Sequence, residues 1–67
     1  SEENFFRVVR AGFASKRKML TNNLAVKFDK TLVTETLRTC DISAKARAED
    51  VPLEGWKSLT KLLLGHG

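Results

Sequence analysis

Apolar residues recur along this chain at spacings of three and four, the period of an amphipathic helix. No run alternates between apolar and polar residues as a half-buried strand would. The first stripe predicts a helix from about Glu2 to Phe13, and Ser15, a favourable N-cap residue, predicts a second helix over about residues 16–25. The positions that these helices would bury are Phe5, Phe6, Val8, Val9, Gly12 and Phe13 in the first and Met19, Leu20 and Leu24 in the second.

The second half of the chain predicts two further helices and a short helical turn between them. A third helix extends from Asp29 or Lys30 to about Thr39, and Ser43 then caps a turn over residues 44–48. Pro52 fits the first turn of a last helix to about Leu64, because proline loses no helical hydrogen bond there. The expected inward positions are Phe28, Leu32, Val33, Leu37, Cys40, Leu53, Trp56, Leu59, Leu62 and Leu63. We therefore predict an all-α fold, a small bundle of four helices plus a short extra helical turn.

The length and composition indicate one folded domain over residues 1–67. A chain that is 42% hydrophobic and 30% charged is typical of a globular protein. Its apolar runs are too short to cross a bilayer, so we expect no membrane partner. Cys40 is the only cysteine and His66 the only histidine, which excludes an intramolecular disulfide and a zinc cluster built from these residues. A lone cysteine favours a reducing compartment, and we expect a cytoplasmic location, with an organelle left open.

The chain carries a net charge of +4, and its basic residues are unevenly distributed. Residues 5–30 hold seven basic residues against one acidic residue, a net charge of +6, whereas the charges of residues 31–67 cancel. The seven basic residues are Arg7, Arg10, Lys16, Arg17, Lys18, Lys27 and Lys30. This one-sided distribution of positive charge indicates a polyanionic partner.

Lys16, Arg17 and Lys18 fall in the first turn of the predicted second helix. Three cations at the positive end of a helix repel one another and the helix dipole. A phosphate bound at that helix start would relieve the repulsion, so we interpret these residues as phosphate contacts of the polyanionic partner. The alternative is a solvated basic turn.

Four further residues are candidates for contact with the polyanionic partner. Arg7 and Arg10, three residues apart on the first helix, extend the basic surface if they face the same side. Asn22 and Asn23 have amides that can hydrogen-bond this partner, with capping or bonding between helices as the alternative. No arrangement of residues indicates catalysis: the four glycines are scattered, and the neighbours Glu49 and Asp50 are typical of a solvated turn.

Residues 13–24, FASKRKMLTNNL, resemble a segment of the ribosomal RNA adenine dimethyltransferases. The family pattern is Phe-x-x-Arg-Arg-Lys-x-Leu-x-Asn-Asn-Leu, in the C-terminal domain, and the similarity is greatest to the small-subunit enzyme. It continues over nearly the whole chain, at residues 5–10, Leu37, Asp41, Ile42, residues 47–49, Trp56 and Leu59. Lys16 departs from the pattern, since lysine keeps the charge of arginine but loses its bidentate phosphate geometry. Pro52 also departs from it, standing where a serine cap is expected.

The resemblance implies an accessory domain that docks on RNA beside a separate catalytic domain. The polyanionic partner is then RNA, and the candidate RNA-binding residues are Lys16, Arg17, Lys18, Arg7, Arg10, Asn22 and Asn23. The implied partners are small-subunit ribosomal RNA, the pre-ribosomal subunit and the protein's own N-terminal methyltransferase domain. That preceding domain would bind S-adenosylmethionine, and no cofactor is expected in this segment. Residues 23–26 echo the family's Asn-Leu-Pro-Tyr-like catalytic motif but lack its proline and aromatic residue, so we assign no catalytic residue here.

Two other functions remain open at the level of sequence. A DNA-binding module of helix-turn-helix type would place the second helix in the major groove. A protein-interaction bundle would present its basic face to an acidic partner.

Overall fold

The computed structural model describes residues 2–64; Ser1 and residues 65–67, with His66 and the expected helix-ending Gly65, lie outside the described residues. Within residues 2–64 there are four α-helices and no strand. They are α1 (Glu2–Gly12), α2 (Leu20–Ala25), α3 (Lys30–Thr39) and α4 (Leu53–Leu63), with a 3₁₀ turn at Ala48–Asp50 before α4. The predicted all-α bundle with a short extra helical turn is confirmed for this part of the chain. None of its helices is both long enough and apolar enough to cross a membrane.

Each helix contributes one buried stripe to a single core. α1 packs on α4 and α2, and α3 packs on α2 and α4. The buried apolar side chains are Val8, Ala11, Leu20, Leu24, Val33, Leu37, Ala48, Val51, Trp56, Leu59 and Leu63. Val8, Leu20, Leu24, Val33, Leu37, Trp56, Leu59 and Leu63 were predicted to face inward, and this is confirmed.

Several apolar residues predicted to be buried are exposed. They are Phe6, Phe13, Met19, Leu32, Leu53 and Leu62. Phe6, Leu32 and Leu62 each stand next to another apolar residue in the sequence, and consecutive helical residues differ by about 100° in direction. In each of these three pairs the neighbouring residue is the one that packs in or against the core. The stripe of apolar residues in the sequence is therefore wider than the stripe of residues that the fold buries.

The second helix begins at Leu20, so the predicted start near Lys16 is wrong. Ser15 does not act as its N-cap; Met19 occupies that position without a side-chain cap. The Lys18 N–H instead bonds the Ser15 carbonyl at 3.3 Å, and the Leu20 N–H bonds the Ala46 carbonyl at 2.9 Å. These bonds satisfy the backbone in a turn, in place of an additional helical turn.

The predicted turn over residues 44–48 is also shifted, to Ala48–Asp50. Ser43 does cap a local turn, its Oγ accepting the Lys45 N–H at 3.1 Å. The 3₁₀ turn is fixed further along by Asp50, whose Oδ2 accepts the Arg47 N–H at 3.0 Å. Pro52 lies at the N-cap position of α4, one residue before the helix starts.

The end of α3 carries backbone strain at one residue. Asp41 has a φ of 58°, the left-handed region that glycine commonly occupies after a helix. The Ile42 N–H bonds the Leu37 carbonyl at 2.9 Å and the Asp41 N–H bonds the Arg38 carbonyl at 3.1 Å, the two bonds of a Schellman motif. The chain thus uses an aspartate where the geometry favours glycine.

Asp41→Gly is expected to raise the free energy of unfolding by about 0.5–1 kcal/mol, because it relieves the left-handed strain. It also removes a carboxylate from the negative end of α3. Asp41→Asn removes only the charge, so comparing the two variants by urea denaturation separates the contributions. A loss of stability in Asp41→Gly would contradict the strain argument.

Candidate nucleic-acid interface

The segment between α1 and α2, residues 13–19, contains Lys16, Arg17 and Lys18, and we call it the basic loop. All three side chains are exposed. They precede α2 by two to four residues, so they do not lie in its first turn. The prediction that these cations bind a phosphate at the positive end of α2 is therefore wrong, and α2 itself has only six residues. Whether Lys16, Arg17 and Lys18 can bind RNA depends instead on the hydrogen bonds that hold the loop.

The buried side chain of Asn23 holds the start of the basic loop. Its side chain is 2% exposed, and Nδ2 donates to the carbonyl oxygens of Gly12 at 2.8 Å and Ser15 at 3.0 Å. One amide therefore ties the end of α1 to the start of the loop. An amide buried to this extent cannot reach a bound RNA, so Asn23 positions the loop, whereas Asn22 is exposed on α2.

Arg47 holds the loop from the other side. Its Nη1 donates to the Lys16 carbonyl at 3.0 Å, across 31 residues of sequence. The adjacent backbone contact between Leu20 and Ala46 supports the same connection. Loop carbonyls are thus bound to donors within the protein, and the basic side chains extend to solvent. The structure thus places Arg47 against the basic loop.

Two grooves flank the basic loop. We call the first the loop groove: it has a volume of about 350 Å³ and is lined by Lys16, Lys18, Arg47 and Glu49, among others. We call the second the helix groove: it has a volume of about 360 Å³ and lies between α1 and the segment that joins α2 to α3. Its cationic residues are Arg7, Arg10 and Lys27. Residues 12–15 line one groove or the other and separate the two.

The cations around these grooves have no carboxylate partner in the described part of the chain. The ion pair found over residues 2–64 joins Arg38 to Glu35 at 2.8 Å, on α3 and away from both grooves. Lys16, Lys18, Arg7, Arg10, Arg17 and Lys27 thus form no ion pair within residues 2–64, and the one carboxylate that lines a groove is Glu49 in the loop groove. Such positive charge attracts polyanions, and this attraction weakens as the salt concentration rises.

The structure brings the predicted basic residues together in two sets. Arg7 and Arg10 do face the same groove, while Lys16 and Lys18 face the other. Arg17 is exposed on the loop and lines neither. Sequence reasoning did not single out Lys27, although it counted toward the charge excess. Its signal would have been its position directly before Phe28, which packs against the core.

The thiol of Cys40 is a further reactive group among residues 2–64. Cys40 is half-buried, and burial raises the pKa of its thiol, which favours the neutral, unreactive form at pH 7. Over residues 2–64, no three His, Cys, Asp or Glu side chains come together as metal ligands would.

Comparison with known proteins identifies homologues that share most of this chain. No protein-family model matches it. A protein of Acaryochloris marina is 43% identical over 53 residues, or 79% of the chain. Proteins of Bacillus pumilus and Fusobacterium nucleatum are 37% and 36% identical over 94% and 98% of the chain. All three are named ribosomal RNA small subunit methyltransferase A, and the chain spans 20–25% of their length. The resemblance found in the sequence is confirmed: the chain is homologous to one segment of the ribosomal RNA small subunit methyltransferase A proteins.

Proposed function

We propose that this chain is the C-terminal RNA-docking domain of a ribosomal RNA adenine dimethyltransferase. The S-adenosylmethionine-dependent dimethylation of adjacent adenines would take place in a separate N-terminal domain. The partners would be small-subunit ribosomal RNA within a pre-ribosomal subunit and that catalytic domain, in the cytoplasm. The names of the homologues support the RNA substrate.

One observation carries the proposal: a loop held by internal hydrogen bonds presents three unpaired cations. Asn23 and Arg47 bind the carbonyls of Ser15 and Lys16, so the backbone at the start of the run Lys16, Arg17 and Lys18 is held before RNA arrives. Preorganisation reduces the entropy lost on binding. RNA helices expose little base-edge information to side chains, so a charged, shaped surface suits them.

The geometry of α2 disfavours the helix-turn-helix alternative. A recognition helix presents several side chains to base edges. Of the six residues of α2, Leu20, Asn23 and Leu24 are buried, and Asn22 alone is fully exposed. An RNA surface made of the loop and the two grooves uses more of the unpaired charge.

Arg17→Glu/Lys18→Glu is expected to weaken binding of small-subunit ribosomal RNA fragments by about tenfold or more at low salt, because two phosphate contacts are replaced by repulsion. The log–log salt slope, about −2 to −3 for three contacts, is expected to become shallower by about 1.5. Filter binding over a series of salt concentrations measures both quantities. In the full-length methyltransferase, affinity for S-adenosylmethionine should not change.

The matched control is Lys57→Glu/Lys61→Glu, which makes the same charge change on exposed residues of α4 that line neither groove. It is expected to retain most of the RNA affinity. Equal losses in both double variants would show that net charge, not the basic loop, drives binding. Tighter binding of duplex DNA than of ribosomal RNA in direct competition would contradict the proposed function.

A further inference from the structure

We propose that the helix groove binds one unpaired nucleotide of the RNA, with its phosphate on Arg7, Arg10 and Lys27 and its base against the apolar side of the groove. This inference rests on the proposed function and adds a structural feature of the RNA to it. The basic loop by itself recognises only backbone charge, whereas the helix groove has both charge and apolar surface.

The cations of the helix groove come from two separate elements. Arg7 and Arg10 project from α1, and Lys27 projects from the segment between α2 and α3. The described residues that line the groove include no acidic side chain, and none of the three cations has a partner among residues 2–64. Exposed cations that line one groove repel one another weakly in water, and an anion bound between them would replace that repulsion by attraction. The arrangement therefore fits a phosphate group.

Apart from the Asn23 amide, the remaining lining of the groove is apolar. It consists of Ala11 of α1, Ala14 of the basic loop, and Val26 and Phe28 of the segment between α2 and α3. Val26 is 68% exposed, whereas polar or charged residues occupy most of the other exposed positions. Half-buried Phe28 presents part of its ring. Aromatic and apolar side chains are the surfaces on which proteins place unstacked bases.

The size of the groove limits its occupant. A volume of about 360 Å³ lies at the small end of ligand pockets, which suits a single nucleotide and not a helix. Carboxylates of an acidic peptide would also meet the cations. The groove shares residues 12–15 as a boundary with the loop groove, however, so an RNA strand bound at the basic loop passes beside it. That continuity of positive charge favours RNA.

The experiment compares two RNA hairpins that differ only in one bulged nucleotide within the stem. The 67-residue chain is expected to bind the bulged hairpin about tenfold more tightly than the fully paired one, the effect of stacking one base on a protein surface. With 2-aminopurine at the bulge, binding should change its fluorescence, which reports the environment of the extruded base.

Ala14→Leu is the decisive variant, because it fills the groove without changing charge. Ala14 is exposed and lies outside the helices, so the fold, followed by circular dichroism, should persist. The variant is expected to lose the preference for the bulged hairpin and to keep its affinity for the paired one. As a second variant, Lys27→Gln is expected to weaken binding of the bulged hairpin about threefold more than binding of the paired one.

The outcomes separate this inference from the proposed function. Equal, salt-dependent affinity of the unaltered chain for both hairpins would overturn the nucleotide site and leave RNA docking intact. Binding to neither hairpin would overturn both. Displacement of either RNA by an acidic peptide at lower concentration than by unlabelled RNA would identify the groove as a protein-binding site and overturn the inference.

Discussion

Asn23→Asp is expected to lower the free energy of unfolding by about 3 kcal/mol or more at pH 7, close to the whole stability of a domain this small. The Asn23 amide donates to two carbonyl oxygens, of Gly12 and Ser15, and is 2% exposed. An ionised carboxylate at that position has no proton to donate. It would face two carbonyl oxygens in a buried site, so both the loss of hydration and the dipoles oppose its charge.

The stability of the Asn23→Asp variant is expected to depend on pH. Burial and the two carbonyls would raise the pKa of the introduced carboxyl above its value in the unfolded chain. A raised pKa in the folded state means that the neutral form contributes stability at low pH. That contribution is lost as pH rises through the folded-state pKa. The protonated carboxyl can also donate one hydrogen bond.

Asn22→Asp is the matched control, since it makes the same chemical change one residue away on the exposed face of α2. Its cost is expected to be within about 0.5 kcal/mol. Urea denaturation of both variants at pH 7 and at pH 4 should show a gap in stability that narrows on acidification. Equal stability of the two variants at pH 7 would show that the loop does not depend on Asn23.

The two hydrogen bonds of Asn23 also show what the sequence alone does not predict. The motif singled out Asn22 and Asn23 as equivalent candidates for RNA contact, because both amides have the same chemistry. Their difference arises from the direction each takes on α2, toward Gly12 and Ser15 or toward solvent. The helix phase at that point depends on where α2 begins, and the sequence predicted an earlier start.

The start of α2 was misplaced because Ser15 has the chemistry of an N-cap. Tertiary contacts override that local preference: the Ser15 carbonyl binds Asn23, and the Leu20 N–H binds Ala46. Neither partner is adjacent in sequence. By contrast, the bounds of α1, α3 and α4 lie within one residue of those predicted, since burial of one face of each helix decides where it forms. The basic loop was thus found by its charge, while its conformation was not predictable from local sequence.

The position of Phe13 illustrates the same limit for side chains. Its ring stacks on Trp56 with centroids 5.5 Å apart and planes inclined by 27°, yet it remains 48% exposed. Periodicity predicted that both aromatics lie in the core, which is confirmed for Trp56 only. Phe13 covers the outer side of the indole where the basic loop leaves α1. Core and proposed RNA surface therefore meet at one aromatic pair.

Gly12→Ala is expected to lower the free energy of unfolding by about 2 kcal/mol, within the range for overpacked cores. A Cβ at this position would lie 2.5 Å from Trp56 Cη2, 2.9 Å from Trp56 Cζ3 and 3.0 Å from Leu20 Cδ1. The indole is buried and stacked on Phe13, so it cannot turn aside without opening the core. The gain in helix propensity offsets less than half of this cost, because Gly12 is the last residue of α1.

Gly55→Ala in α4 provides the matched control. Its Cβ would lie 2.8 Å from Cγ1 of the buried Val51, which has to shift slightly, and 3.5 Å from Pro52 Cδ. The gain from replacing glycine inside a helix, about 1 kcal/mol, should then leave stability nearly unchanged. Combining Gly12→Ala with Trp56→Leu removes the ring atoms that clash, so the double variant should be more stable than the sum of the single changes predicts, by about 1 kcal/mol or more. If the changes in the free energy of unfolding of the two single variants simply add in chemical denaturation, the close approach of Gly12 to Trp56 does not constrain the end of α1.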